Sequence, residues 1–208
     1  MLFDVDGTLV DSNAAHAESW AQALVEHGIN VSASQVRPLV GMGGDKVLPA
    51  LSDIDSSSAR GKKISDRKKE LFNQRLPHLR ATRGARSLVE FLRDRGIDVA
   101  VATSAQDDEM KAILRQGQLD GLFSAHATKD DAAESKPDPD IVYAALEESE
   151  ARPESTVMIG DTPYDIEAAG RAGVPVIAVR CGGYWKDDEL RGAIEIFDDP
   201  AAVLAWLR

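Results

Sequence analysis

The chain has 208 residues, 43% hydrophobic and 28% charged, with a formal net charge of −11. That length suits one domain, or one domain with a modest insertion, and the acidic balance excludes non-specific nucleic-acid binding, which needs a basic face. No apolar run reaches the length of a membrane span, no signal peptide is visible, and the single Cys181 cannot form an internal disulfide, which points to a reducing, cytoplasmic compartment.

The chain opens on Leu2-Phe3-Asp4-Val5-Asp6-Gly7-Thr8-Leu9, a short apolar strand running into two carboxylates. Only three residues precede Asp4, so native residues are expected ahead of Met1. Residues 12 to 80 then read as helices throughout. The segment 14–28 has apolar positions at helical spacing and stops at Gly28. Further helices are expected near 33–40, 44–52 and 61–76, and the polar, charged stretch 53–70 reads as an exposed turn leading into a solvated helix.

From residue 84 the rhythm changes. A helix ending at Gly96 is followed by a strand over 97–103, a helix over 107–117 and a short strand over 123–128. Next come a helix over 138–150, a strand over 155–160, a helix over 163–173 and a strand over 174–179. A strand near 193–197 and a helix over 199–208 close the chain. Strands alternating with helices at short spacing mean a parallel sheet covered on both faces. The predicted fold is therefore α/β: a doubly wound, Rossmann-like core from residues 1–11 and 80–208. An all-helical cap, residues 12–79, is inserted after the first strand.

Each predicted strand ends in polar groups: Asp4 and Asp6, then Thr103 and Ser104, then Asp161 with Asp165 four residues on. In doubly wound sheets the ligand crevice lies at the carboxyl ends of the strands. Lys136, in a loop ahead of a helix, can reach the same edge. Residues i and i+2 of a strand face one side, so Asp4 and Asp6 can converge on one cavity. Several carboxylates there need a neutralising cation, and Mg²⁺ suits oxygen ligands and brings phosphate with it. The Thr103 hydroxyl, the Ser104 backbone N–H and the Lys136 ammonium can hold phosphate oxygens. One carboxylate can attack phosphorus while its neighbour two residues away handles the proton.

These residues resemble the haloacid dehalogenase superfamily, in its phosphoglycolate-phosphatase-like group. The matching motifs are Asp4-Val5-Asp6-Gly7-Thr8, Thr103, Lys136 before Pro137, and Gly160-Asp161-Thr162-Pro163-Tyr164-Asp165, in the family's order. The resemblance implies an Mg²⁺-dependent phosphatase acting on a small phosphorylated metabolite. It implies Asp4 as nucleophile and Asp6 as acid/base. It places the metal on the Asp4 carboxylate, the Asp6 backbone carbonyl and Asp161, and has Asp165 orient metal waters or Lys136. Gly7, Thr103, Ser104 and Lys136 are the expected phosphate contacts. The resemblance also implies a cap that closes over substrate.

Within the cap, His16, Gly41, Gly43 and Gly44 are candidates to face substrate, although His16 and Trp20, one helical turn apart, read more readily as packing. Arg37 reads as a surface arginine, and His27, His78 and His126 as structural. Lys46 lies near where phosphonate-cleaving relatives carry a Schiff-base lysine. Cys181, Tyr184 and Trp185 lie in a loop beyond a strand end that could border the site. A phosphotransferase or mutase and a phosphonate-cleaving hydrolase are the alternatives on the same fold, and a phospho-accepting or binding module is the reading from another class. Monomer and homodimer stay equally open.

Overall fold

The computed structural model describes all 208 residues. Six parallel strands form one sheet: β1 (Leu2–Phe3), β2 (Ala100–Ala102), β3 (Ala125–Ala127), β4 (Met158–Gly160), β5 (Val176–Val179) and β6 (Glu195–Phe197). Their order is β3-β2-β1-β4-β5-β6. The strand order reverses at β1, which sits between β2 and β4, and such a switch point opens a crevice at the carboxyl ends of the strands.

Side chains alternate across a strand, and Leu2 and Phe3 accordingly enter different cores. Phe3, Val101, Ile159 and Ile177 pack on one face with α5 (Ala85–Asp94), α6 (Asp107–Gln116) and α9 (Pro200–Leu207). Leu2, Ala100, Met158 and Val176 pack on the other with α7 (Asp140–Glu148) and α8 (Pro163–Arg171). The strands are shorter than the sequence suggests, because their apolar flanks at Val99, Val157 and Val174 lie outside the ladder although they pack into or against these cores.

Between β1 and β2 the chain inserts α1 (Asn13–Glu26), α2 (Ala33–Val36), α3 (Gly44–Leu51) and α4 (Ala59–Arg75). Twelve buried side chains from Ala17 to Leu71 form a core internal to this insertion. The helix expected over 33–40 ends at Val36 and tightens into a 3₁₀ turn over Arg37–Leu39. Pro38 has no N–H to continue the α-helical ladder. The helix expected from residue 61 starts at Ala59, because the Ser58 hydroxyl accepts from the Gly61 backbone N–H at 3.0 Å. No helix is long and apolar enough to cross a membrane.

Candidate active site

The strand ends bring the predicted polar groups to one edge. Asp4 leaves β1 with its backbone N–H donating to Ile159 at 2.9 Å, and Thr103 leaves β2 with its N–H on Ala127 at 3.0 Å. Asp161 follows β4 directly. Carboxylate oxygens of Asp4, Asp161 and Asp165 lie within 4.8 Å of one another, all three residues buried.

Lys136 arrives from the loop between β3 and α7 and is wholly enclosed. Its ammonium donates to Asp4 Oδ1 at 2.6 Å, Asp165 Oδ1 at 2.7 Å and the Ala102 carbonyl at 2.7 Å. All three N–H bonds are therefore used, and Lys136 acts on anything in the crevice through Asp4. Asp165 has two tasks. Its Oδ2 accepts from the Thr162 backbone N–H and hydroxyl while the Thr162 hydroxyl accepts from the Asp165 N–H, a capping box that starts α8. Its Oδ1 holds Lys136. The turn that begins the helix thus fixes the lysine.

Burial pushes the Asp4 carboxyl up to about 8, with Asp165 and Asp6 adding to the rise and Lys136 opposing it. Burial, followed by repulsion from Asp165 and Asp4, also pushes Asp161 well above the carboxylate range. Loss of water pulls Lys136 down, yet Asp165 and Asp4 outweigh it and hold the ammonium charged. One buried lysine, with the half-buried Arg37 acting on Asp161 alone, is thus left to balance three carboxylates. An all-oxygen donor set with surplus negative charge fits a hard divalent cation. The walls close tightly on Asp161: a Cβ on Gly7 or on Gly182 would clash with Asp161 Oδ2. Gly7, at φ +78°, thus serves close approach to Asp161.

Asp6 faces a different way. Its Oδ1 accepts from the Ser12 hydroxyl and lies 2.9 Å from His16 Nε2. Burial would raise its pKa, but His16 and Ser12 outweigh that and hold it below the usual carboxylate range. His16 is itself stacked on Phe72, with ring centroids 4.0 Å apart. Asp4, Asp6, His16, Thr103 and Ser104 line a cleft of about 530 Å³ between sheet and insertion. Gly41, Gly43, Gly44 and Trp20 form part of the opposite wall. Thr103 Oγ1 accepts from the Ala105 N–H at 3.2 Å. The Ser104 hydroxyl is buried with no partner, a free donor in the cleft that Asp4 and Asp6 also line.

Two residues read differently in three dimensions. Arg37 is half-buried and its guanidinium donates to the Gly182 carbonyl. Lys46 pairs with Asp138 at 2.5 Å and Glu134 at 3.3 Å. Although burial alone would lower its pKa, those partners raise it, the reverse of what a Schiff-base amine requires. Neither contact was legible beforehand, since the partners lie 145 and 92 residues away. His27 bonds its own helix at the Ala23 carbonyl, His78 sits in a 3₁₀ turn, and His126 faces Asp107. The Cys181 thiol donates to the Gly7 carbonyl at 3.1 Å.

Residues 1–179 match the family model for haloacid dehalogenase-like hydrolases. A protein of Caldanaerobacter subterraneus assigned as a pyrophosphatase is 32% identical over 181 residues, covering 86% of this chain and 80% of that protein. A phosphoglycolate phosphatase of Aquifex aeolicus is 30% identical, covering 89% and 86%. Among solved structures, a hydrolase from Pseudomonas syringae superposes with a TM-score of 0.92 at 29% identity, covering 99% of this chain and 96% of that one.

Proposed function

The chain belongs to the haloacid dehalogenase-like hydrolase family and is an enzyme of its phosphatase group, and we propose that it hydrolyses a small phosphomonoester through an aspartyl-phosphate on Asp4, with Mg²⁺ as cofactor. The observation that carries this reading is the Asp4 carboxylate, fixed by Lys136, facing the cleft within 4.8 Å of Asp161 and Asp165. Residues 1–11 and 80–208 form the catalytic core, and residues 12–79 the cap.

The Asp4 carboxylate, the Asp6 backbone carbonyl and Asp161 would hold the cation. When bound, Mg²⁺ would offset the repulsion between Asp4 and Asp161 and draw charge from the phosphoryl oxygens. Lys136 keeps the Asp4 carboxylate in one orientation, which removes a rotational search from the attack. The Ser104 hydroxyl and backbone amides after β2 receive the other phosphoryl oxygens. The Asp4 oxygen bonds to phosphorus as the ester P–O bond breaks, and the leaving oxygen takes a proton from Asp6. An arriving phosphate, being anionic, raises the Asp6 pKa and lets it carry that proton. Water then attacks phosphorus, Asp6 takes its proton, and the P–O bond to Asp4 breaks, releasing inorganic phosphate and restoring the Asp4 carboxylate.

The test is phosphate release from a panel of phosphomonoesters, with and without Mg²⁺. Parent protein is expected to turn over at least one ester only with Mg²⁺, and Asp4→Asn to lose essentially all of that rate. A folded Asp4→Asn that retains turnover would remove Asp4 from the chemistry.

A further inference from the structure

The insertion crosses to the core at a point that bears on Asp161. Asn13 donates from Nδ2 to Asp161 Oδ2 at 2.9 Å and to the Gly182 carbonyl at 3.3 Å. The same carbonyl accepts from the Arg37 guanidinium, which comes from the 3₁₀ turn of the insertion. Gly182 lies so close against Asp161 that no Cβ fits between them. A shift of Gly182 must therefore move the Asp161 carboxylate or open a gap beside it. The next residue of the insertion is held too, but elsewhere: the Tyr164 hydroxyl donates to the Pro38 carbonyl at 2.6 Å.

We propose that Arg37 is a positioning residue for Asp161, acting from the insertion through the Gly182 carbonyl, so that the metal site is fully formed only while the insertion is docked. The proposal rests on the reading of Asp161 as a metal ligand. Two effects of Arg37 on a bound cation oppose each other. Its positive charge repels Mg²⁺ and favours weaker binding. Its bond to Gly182 fixes the carboxylate, and partners that orient metal ligands are typically worth 10–100-fold in affinity. The guanidinium is partly solvated, so its repulsion is damped, whereas the packed contact between Gly182 and Asp161 is not. Positioning is therefore expected to win.

The sign of the change decides the matter. Mg²⁺ binding is measured by calorimetry on full-length parent, Arg37→Met and Tyr164→Phe, with circular dichroism to verify the fold. Arg37→Met is expected to bind Mg²⁺ about tenfold more weakly. Tyr164→Phe loosens the same 3₁₀ turn of the insertion without touching Gly182 and is expected to stay within about twofold of the parent. If Arg37→Met does not fold, Arg37→Gln replaces it with the same expected sign. Unchanged or tighter binding in a folded Arg37 variant overturns the positioning role, and so does equal weakening in Tyr164→Phe, which would make the contact a general strap. A parent that binds no Mg²⁺ overturns the metal reading and this proposal together.

Discussion

Asp6 and its partner His16 show how one side chain sets another. His16 is locked by its stack on Phe72 and spends Nε2 on Asp6, so the carboxylate proposed to handle the proton has a fixed direction. His16→Phe keeps the stack and deletes the bond. We expect kcat to fall about tenfold, a fraction of what general acid–base catalysis contributes, with Mg²⁺ affinity unchanged; a wild-type kcat would reduce His16 to packing. Cys181 gives a simpler case. Burial, with Asp161 and Asp199 adding, pushes its thiol up to about 12, so it is neutral at any working pH. Its reaction with a disulfide reagent at pH 8 should be far slower than in denaturant, because the thiolate is the nucleophile. The motif residues Asp4, Asp6, Thr103, Lys136 and Asp161 were legible because each is marked by a strand end or a Pro neighbour. The bonds of His16 to Asp6 and of Arg37 to Gly182 were not, since a histidine on an apolar helix face and an arginine before a proline carry no sign of what lies opposite them.

Between elements, the seam of α4 against α6 is ionic. Lys68 pairs with Glu109 at 2.9 Å, both side chains about a tenth exposed, and Lys69 pairs with Asp108 at 2.5 Å nearer the solvent. Lys68→Met would leave Glu109 buried without a partner, which costs about 3 kcal/mol; chemical denaturation measures it. Lys69 holds Asp108 below the carboxylate range, and Lys46 does the same for Asp138. A depressed carboxyl contributes stability that is present above its unfolded pKa of about 3.9 and lost as pH falls through the lower folded value. The insertion should therefore loosen from the core below about pH 4, detected as lower amide protection, relative to the intrinsic exchange rate at each pH, in α3 and α4 at pH 3.5 than at pH 6. If exchange there tracks the sheet at both pH values, these pairs do not govern docking. The periodicity of the sequence revealed the helices but not this seam. A Lys-Lys and an Asp-Glu on separate helices look like two solvated faces until the fold opposes them.

For the molecule as a whole, the acidic centre is a store of repulsion that a cation would relieve. Mg²⁺ at a hundredfold excess over its Kd should stabilise the folded state by about 2.7 kcal/mol, several degrees in Tm for a chain of this size. Chelation should remove that gain, and Asp161→Asn should never show it. A parent whose melting ignores both Mg²⁺ and chelator would take the metal out of the mechanism. The alternation of strands and helices was enough to read the sheet: the buried inner strands are apolar runs, and the half-exposed edge strands β3 and β6 follow from their place in the alternation. The order of events in making it is another matter. β1 is the middle of the sheet and precedes all its partners in the chain, which are Ala100 and Val101 on one side and Met158 and Ile159 on the other. The insertion, whose core draws only on residues 17–71, can condense early. The strand that leads into Asp4 has both its edges paired only once Met158 and Ile159 have been made, so the carboxylate proposed as nucleophile comes into register late in the birth of the protein.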